Sequence, residues 1–333
     1  MSEVSLQETA RALVAEGKGI LAADESAGTI KKRFDSIQAE STEANRRDYR
    51  TLLFTAPGVG DHISGVILFD ETIRQNAADG TPLVNILQDA GVIPGIKVDT
   101  GAKPLAGHPD ETVTEGLDGL RERLEEYAGL GARFAKWRAV YRIGEAIPSP
   151  ACISANAHAL ARYAALCQEA GLVPIVEPEV LMDGDHDIDD CDIVTEEALR
   201  AVFNELTVQD VMLEDMLLKP NMVISGSDCA EQAGVEEVAA RTVQCLLRSV
   251  PAAMPGVVFL SGGQSDEVAT QHLNAMNKIP AVKPWKLSFS YGRALQAAPL
   301  KAWGGKAENA AAAQAALMER AQANGAATLG QYA

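Results

Sequence analysis

Two lysines of this sequence lie within short apolar segments, where a solvated surface position does not account for them. Lys136 precedes Trp137, and Lys219 lies between Leu218 and Pro220. A lysine attacks a carbonyl carbon only as the neutral amine, and burial beside another cation disfavours the ammonium form. The sequence therefore predicts an amine nucleophile, with Lys219 as the better candidate and Lys136 as its electrostatic helper.

Three carboxylates that follow apolar segments are candidates for moving protons. Asp24 follows one such segment, and Glu177 and Glu179 follow another. Residues two apart share a face of a strand, so Glu177 and Glu179 point the same way. A lone buried lysine is usually half of a structural ion pair. Many charges in one interior cost several kcal/mol per ion unless they are paired, so this number of them favours a catalytic cluster.

Two later segments carry groups that bind phosphate. Ser261, Gly262 and Gly263 precede a helical stretch and offer backbone N–H donors at a helix N-terminus. Arg293 follows Gly292 and offers the two parallel N–H bonds of a guanidinium. Together they predict a site for a phosphorylated substrate.

Eight apolar segments, separated by stretches of helical periodicity, must position these side chains. The segments are Gly19 to Ala23, Ile63 to Phe69, Ile96 to Val98, Phe134 to Arg138, Val173 to Val176, Met216 to Lys219, Val257 to Leu260 and Lys286 to Phe289. Strand and helix alternating eight times without a linker predict a single α/β domain over residues 1–333, a (β/α)8 (TIM) barrel. The candidate side chains then lie at the C-terminal ends of its strands, where such barrels carry out chemistry. We expect an Ala-rich C-terminal helix and a flexible tail over residues 324–333.

Charge and composition limit the class of partner. The chain has 29 Lys and Arg against 46 Asp and Glu, a formal net charge of −17, so its field repels nucleic acid. A small anionic substrate must therefore meet a local cluster of cations. Five cysteines without a C-x-x-C pair predict reduced thiols, and no segment is typical of a signal peptide or a membrane span. We expect a cytoplasmic protein with no membrane partner.

Seven segments of the sequence, in this order, resemble the class I fructose-bisphosphate aldolases, which form a Schiff base with their substrate. They are Gly19-Ile-Leu-Ala-Ala-Asp-Glu-Ser26, Gly95-Ile-Lys-Val-Asp99, Phe134-Ala-Lys-Trp-Arg138, Val176-Glu-Pro-Glu179, Leu217-Leu-Lys-Pro-Asn-Met222, Phe259-Leu-Ser-Gly-Gly-Gln-Ser265 and Leu287-Ser-Phe-Ser-Tyr-Gly-Arg293. The resemblance covers nearly the whole chain. It implies reversible cleavage of fructose 1,6-bisphosphate to dihydroxyacetone phosphate and glyceraldehyde 3-phosphate, without a metal cofactor, by a homotetramer.

The resemblance also implies a role for each candidate residue. Lys219 forms the Schiff base, and Glu177 is the acid and base that dehydrates the carbinolamine. Asp24 and Lys136 assist proton transfer and carbon–carbon cleavage, and Glu179 orients the lysines. One phosphate is contacted by Ser261, Gly262, Gly263, Ser290 and Arg293, and Arg33, Ser26, Lys97 and Arg138 lie nearer the other.

The end of the sequence departs from the family pattern. Animal members finish in a mobile tail with a terminal tyrosine, whereas here Tyr332 is followed by Ala333. Tyr332 is either the counterpart of that tyrosine, with a role in proton transfer, or the counterpart of a tyrosine upstream of the tail. The residues leave both alternatives open.

Metal-dependent and non-enzymatic interpretations are weaker. The acidic segment Asp183 to Asp192 does not fit a calcium loop, because Ile188 and Val194 stand where Gly and Glu are needed, and we expect a solvated loop there. The five histidines include no H-x-x-x-H pair, so a zinc-dependent aldolase lacks its ligands. Two interpretations stay open beside the aldolase: another Schiff-base barrel such as a transaldolase, and a non-catalytic scaffold on the same fold. The preference between fructose 1,6-bisphosphate and fructose 1-phosphate is also open.

Overall fold

Eight of the ten strands in the computed structural model, which describes residues 4–333, close into one parallel barrel. The strands are β1 (Gly19–Ala23), β2 (Ile63–Leu68), β3 (Ile93–Lys97), β4 (Gly101–Pro104), β5 (Thr112–Glu115), β6 (Phe134–Tyr141), β7 (Val173–Val180), β8 (Leu217–Leu218), β9 (Gly256–Phe259) and β10 (Lys286–Tyr291). The order around the barrel is β1, β10, β9, β8, β7, β6, β3, β2, while β4 and β5 form a separate antiparallel hairpin. The predicted (β/α)8 barrel is confirmed.

Helices lie between the barrel strands along the chain and follow the last one. They are α1 (Leu6–Leu13), α2 (Ala27–Ser36), α3 (Glu43–Phe54), α4 (Val59–His62), α5 (Asp70–Ile73), α6 (Leu83–Asp89), α7 (Leu120–Gly129), α8 (Pro150–Glu169), α9 (Ile188–Val208), α10 (Val235–Ser249), α11 (Asp266–Lys278), α12 (Arg293–Trp303) and α13 (Ala310–Thr328). Within residues 4–333, no helix combines the length and the apolar composition that a membrane crossing requires.

The barrel strands are buried on both faces. Every residue of β1, β2 and β7 is buried. A parallel strand that is covered by helices outside and by side chains inside reads as a continuous apolar run, which is why the eight predicted segments coincide with strands. Apolar side chains from six strands form one cluster with α1 inside the barrel: Ile20, Ile67, Phe134, Ile175, Leu217 and Val258.

Helix α1 closes the N-terminal end of the barrel. Leu13, its last residue, and Val14 are buried in the interior cluster. Two glycines at the beginnings of strands make room for them. A Cβ at Gly65 would lie 2.6 Å from Leu13 Cδ2, and a Cβ at Gly256 would lie 2.7 Å from Val14 Cγ1. The C-terminal end of the barrel is therefore the open one.

The acidic segment is helical over its second half, so the expectation of a solvated loop is wrong there. Helix α9 begins at Ile188, and the Asp187 side chain accepts a hydrogen bond from the Asp190 backbone N–H as its N-cap. Asp189 and Asp190 occupy the first turn, where the helix dipole favours negative charge. Asp192 is buried and pairs with Arg241 Nε at 3.3 Å.

The C-terminal helix includes the first five residues of the expected tail, residues 324–328. Helix α13 ends at Thr328, and Asn324, Gly325 and Ala327 are buried in it. A Cβ at Gly325 would lie 2.5 Å from the Gly17 carbonyl oxygen, so close packing holds this part of the helix in place. The mobility of the residues after Thr328 stays a prediction. Residues 1–3 of the expected single domain lie outside the described residues.

Candidate active site

All the site residues expected from the sequence except Tyr332 line one cavity of about 500 Å3. They are Asp24, Ser26, Arg33, Lys97, Lys136, Arg138, Glu177, Glu179, Lys219, Ser261, Gly262, Gly263, Ser290, Gly292 and Arg293. Residues this far apart in sequence meet because all parallel strands of the barrel end at the same rim.

A carboxylate between two lysines forms the centre of the cavity wall. Glu177 Oε2 lies 3.2 Å from Lys136 Nζ, and Glu177 Oε1 lies 3.2 Å from Lys219 Nζ. Asp24 Oδ2 lies 2.8 Å from Lys136 Nζ on the other side. Lys136, Glu177 and Lys219 are at most 4% exposed, so these charges interact with little screening by water.

Burial and charge oppose each other in setting the pKa values of this cluster. Burial by itself would raise the pKa of Asp24 and of Glu177, but the neighbouring lysine charges outweigh it and hold both values below the usual range. Burial would lower the pKa of Lys136, but the carboxylates of Asp24, Glu177 and Asp99 outweigh it and raise the value well above normal. Lys136 is therefore held as an ammonium ion between ionised carboxylates.

The short strand β8 delivers Lys219 to this cluster. The Lys219 backbone N–H donates to the Val176 carbonyl oxygen at 2.8 Å, which continues the β7 pairing by one residue. Pro220 has no N–H of its own, and its carbonyl oxygen accepts from the Leu260 N–H at 3.1 Å. The lysine backbone is thus fixed from both neighbouring strands.

Glu179 contacts an arginine rather than a lysine. Its Oε2 accepts a hydrogen bond from Arg138 Nε at 2.5 Å. In the pairing of β6 with β7, Arg138 lies opposite Glu177, and Val140 lies opposite Glu179. Glu179 therefore lies nearer the C-terminal end of the strands than Glu177, which contacts the lysines. The orienting role implied for Glu179 is not matched by a direct contact with either lysine.

The loop after β9 has the backbone geometry that its glycines allow. Gly262 and Gly263 have φ angles of 55° and 85°, in the left-handed region. A Cβ at Gly263 would lie 2.8 Å from Met182 Sδ and 3.6 Å from Arg293 Nη2, so the loop lies against the arginine that follows β10. The Ser290 hydroxyl is buried there and has no hydrogen-bond partner within residues 4–333. These groups can surround a phosphate.

Further cations and hydroxyls lie at the ends of β1 and β3. Ser26 Oγ lies 3.2 Å from Thr29 Oγ1 at the start of α2, and Lys97 Nζ lies 3.4 Å from Asp99 Oδ1. Arg33 Nη2 lies 3.6 Å from the point that a Cβ at Gly292 would occupy, which places Arg33 beside the Gly292–Arg293 group. Its assignment to the other phosphate stays a prediction.

The sequence reasoning missed a buried network behind Arg33. Glu25 Oε1 accepts hydrogen bonds from Gln296 Nε2 at 2.7 Å and lies 2.5 Å from Arg33 Nη1. Glu25 Oε2 accepts from Arg50 Nη2 at 2.9 Å, and Arg50 Nη1 donates to Thr72 Oγ1 at 2.8 Å. Glu25 follows Asp24 directly, which was a usable signal. Arg50 lies within helix α3, and no spacing in the sequence links it to the strand end.

Tyr332 lies away from the cavity. Its backbone N–H donates to Asn274 Oδ1 and its carbonyl oxygen accepts from Asn274 Nδ2, both at 3.0 Å. Asn274 is in the last turns of α11, which runs toward the closed end of the barrel. Of the candidate residues, Tyr332 is thus the one that the structure does not bring together with the others.

Metal ligation is not suggested by the part of the chain that the structure describes. Nowhere in residues 4–333 do three or more His, Cys, Asp or Glu side chains come together in a way that could hold a metal ion. The lysines and carboxylates at the cavity wall are paired with each other.

Comparison with known proteins agrees with the geometry. Residues 5–333 match the family model described as glycolytic fructose-bisphosphate aldolase class-I. The chain is 63% identical to a probable fructose-bisphosphate aldolase class 1 of Xanthomonas campestris pv. campestris, over 100% of this chain and 99% of that protein. It is 59% identical to the cytosolic fructose-bisphosphate aldolase 6 of Arabidopsis thaliana, over 95% of this chain and 88% of that one. A solved structure of the Plasmodium falciparum aldolase, in complex with TRAP and an inhibitor, superposes with a TM-score of 0.97 at 52% identity and covers 98% of this chain and 95% of that one. The chain therefore belongs to the class I fructose-bisphosphate aldolases, glycolytic lyases that cleave a carbon–carbon bond.

Proposed function

We propose that this chain cleaves fructose 1,6-bisphosphate reversibly to dihydroxyacetone phosphate and glyceraldehyde 3-phosphate, with Lys219 as the residue that forms the Schiff base. The observation that carries the assignment is the Glu177 carboxylate, which lies 3.2 Å from the Nζ atoms of both Lys219 and Lys136. A carboxylate in this position can take a proton from one lysine while the other stays charged.

The two lysines differ in their suitability as nucleophile. Lys136 contacts Asp24 in addition to Glu177, and its raised pKa keeps it protonated, so it cannot attack a carbonyl carbon. Among ion pairs within 4 Å in residues 4–333, Lys219 contacts Glu177 alone. We therefore assign Lys219 as the nucleophile and Lys136 as the fixed positive charge.

Glu177 moves the proton during formation of the imine. It accepts a proton from the Lys219 ammonium, and the neutral amine attacks the ketone carbon to give a carbinolamine. The protonated Glu177 then donates to the carbinolamine hydroxyl, which leaves as water. The iminium that remains carries the positive charge that Lys219 carried before.

The iminium draws electrons from the bond that breaks. The C3–C4 bond cleaves, its electron pair forms an enamine, and the C4 hydroxyl proton is lost. We assign Asp24 as the acceptor of that proton, because it is ionised and lies at the cavity wall, 2.8 Å from Lys136 Nζ. The aldehyde leaves, and C3 takes up one proton in place of the one lost from the C4 hydroxyl. Addition of one water to the iminium then releases dihydroxyacetone phosphate and restores the Lys219 ammonium.

Two groups of hydrogen-bond donors, each with one cation, favour a substrate with two phosphates. The loop from Ser261 to Gly263 with Arg293 supports one phosphate site, and Ser26 and Lys97 support a second. A transaldolase handles sugars with one phosphate, and a scaffold needs neither phosphate groups nor buried paired lysines. The intact cluster therefore favours catalysis on a bisphosphate over both alternatives.

Borohydride trapping tests the assignment of Lys219. Reduction in the presence of dihydroxyacetone phosphate should add one ligand mass to the peptide that contains Leu217 to Met222. Lys219→Arg should abolish the labelling, because arginine cannot form an imine and does not deprotonate at working pH. Peptide mapping by mass spectrometry measures both. Labelling at Lys97 or Lys136 in the wild type would show the assignment to be wrong.

The remaining proposals follow from the resemblance and from the relatives. We propose that the chain forms one domain and assembles as a homotetramer, and sedimentation of the purified protein measures the assembly. The relatives named cytosolic support a cytoplasmic location. The iminium supplies the electron sink that a metal supplies in other aldolases, which supports a reaction without a metal cofactor.

A further inference from the structure

Behind the loop of Ser261 to Gly263 lies a glutamine whose side chain holds that loop. Gln264 donates twice to the Ser261 carbonyl oxygen, from its backbone N–H at 3.0 Å and from Nε2 at 2.9 Å. The same Nε2 lies 3.6 Å from Met222 Sδ, three residues after Lys219. Gln264 is only 9% exposed. Its amide therefore links the phosphate loop to the segment that carries the Lys219 nucleophile.

The orientation of that amide is set by one histidine. Gln264 Oε1 lies 2.6 Å from Nδ1 of His272, which is in the second turn of helix α11. Because the Ser261 carbonyl can only accept, the amide must direct its NH2 group toward it and its oxygen toward the imidazole. His272 Nδ1 must then carry the proton and donate. No other arrangement of the amide satisfies both neighbours.

The imidazole is built into the core rather than exposed to solvent. His272 is 5% exposed, and burial lowers its pKa to about 4, so the ring is neutral near pH 7. A neutral ring with the proton on Nδ1 is a single, fixed donor. The contact with Gln264 gives this ring a role beyond packing.

We propose that His272 is a positioning residue for the phosphate site. Its Nδ1–H fixes the Gln264 amide, and that amide fixes the Ser261 carbonyl. The position of this carbonyl in turn directs the N–H donors of Gly262 and Gly263 toward the substrate phosphate. The proposal rests on the proposed function, in which this loop binds a phosphate of the substrate. His272 itself touches neither the substrate nor the reacting atoms.

Three variants separate positioning from packing. His272→Leu keeps a branched side chain and removes the donor. His272→Asn restores a donor, because Asn Nδ2 is as many bonds from Cα as His Nδ1. Thr270→Val is the matched control on the same helix, since its hydroxyl bonds Asp266 and Asn324 and not the loop. If His272→Leu does not fold, as judged by thermal unfolding, Gln264→Leu replaces it.

The readout is borohydride trapping with two ketones, dihydroxyacetone phosphate and dihydroxyacetone. In His272→Leu the concentration of dihydroxyacetone phosphate for half-maximal trapping should rise about tenfold, in line with a loss of one well-oriented hydrogen bond. The value for dihydroxyacetone, which has no phosphate, should not change. His272→Asn and Thr270→Val should behave as the wild type.

Two results would overturn the proposal. One is an unchanged response to both ketones in His272→Leu, and the other is an equal loss for both, which would mean general damage. Binding of inorganic phosphate, measured by calorimetry, separates this proposal from the function on which it rests. If the wild type is not trapped at Lys219, the proposed function fails. Phosphate binding by His272→Leu that is weaker than that of the wild type would still support the role of His272, and equal binding would contradict it.

Discussion

At the scale of single residues, the chemistry depends on which ion-pair partners each buried lysine and carboxylate has. Glu177 serves two lysines, so a proton that leaves one nitrogen has a place to go within 3.2 Å. Lys136 has carboxylates on two sides, which makes it a fixed charge rather than a base. Two identical side chains in one cavity are therefore suited to different tasks by their ion pairs.

These shifted pKa values predict how stability changes with pH. Asp24 and Glu177 have lowered pKa values, so their stabilising effect is fully present above the ordinary carboxyl pKa near 4 and is lost as the pH falls below it, through the lowered values. Lys136 has a raised pKa, so its effect is present below about 10.4 and is lost as the pH rises further. We expect Asp24→Asn to be less stable than the wild type near neutrality. Its Tm should also fall less than that of the wild type between about pH 6 and pH 3, a range chosen because it spans the ordinary carboxyl pKa.

Thermal unfolding across the pH series measures this difference. Asp118→Asn, at an exposed position, is the control and should follow the wild type. If the Tm of Asp24→Asn fell with pH as steeply as that of the wild type, Asp24 would not be ionised in a stabilising pair.

Arg293 gives a second prediction at this scale. Its guanidinium has no ion pair within 4 Å among residues 4–333, and we assign it to substrate phosphate rather than to chemistry. A bidentate contact of this kind is worth roughly 1.5 to 3 kcal/mol, so Arg293→Ala should raise KM by about 10- to 150-fold. A smaller fall in kcat should accompany it, because the phosphate also holds the ketone against Lys219.

Steady-state kinetics and trapping check this assignment together. Labelling of Lys219 should persist in Arg293→Ala at saturating substrate. Arg121→Ala removes an exposed guanidinium paired with Glu169 and should change neither constant. If Arg293→Ala bound the bisphosphate normally but formed no imine, Arg293 would belong to the catalytic group instead.

At the scale of elements, the open end of the barrel depends on how α1 fills the other end. Gly65→Ala should push its new Cβ into Leu13 Cδ2, 2.6 Å away, with the Ile93 carbonyl oxygen only 3.2 Å away. Overpacking of this kind costs about 1 to 3 kcal/mol. Since the cavity lies at the opposite end, kcat at room temperature should stay close to that of the wild type.

Thermal unfolding and kinetics measure the two effects. Gly129→Ala, at the last residue of α7, is the matched control, because a Cβ there meets nothing within 4 Å. It should leave Tm unchanged or raise it slightly. A Gly65→Ala protein as stable as the wild type would show that α1 can shift away from the barrel.

The elements that could be predicted are those whose burial leaves a pattern. All eight barrel strands were predictable because both of their faces are covered. The β4–β5 hairpin was not, since its strands have four residues each and Ala102, Lys103 and Pro104 are exposed. The start of α9 was missed because its aspartates cap and occupy the first turn. Acidic residues are favoured at a helix N-terminus, but in the sequence they are equally typical of a loop.

The residues of the site could be predicted from the sequence, but the contacts among them could not. Strand ends and the family resemblance together identified fifteen of its residues, which a parallel barrel gathers at one rim. The partners could not be assigned. Whether Glu179 meets a lysine or Arg138 depends on the register of β6 against β7, and Arg50 reaches Glu25 from another helix. Such contacts arise from packing, which no spacing along the chain encodes.

At the scale of the whole molecule, the formal net charge is −17, while the cavity gathers cations at the strand ends. In the proposed mechanism the iminium at Lys219 is the electron sink, so we expect kcat and KM to be unchanged after incubation with EDTA. Aldol cleavage assays before and after chelation measure this. Loss of turnover that zinc restores would contradict it.

The seal that α1 forms at the bottom of the barrel leaves the cavity with one opening. In the mechanism proposed above, both halves of the cleaved sugar pass through that opening, and the half held by Lys219 as an enamine leaves second. We therefore expect an aldehyde added to the solution to enter the same opening and be joined to the retained ketone half before that half leaves.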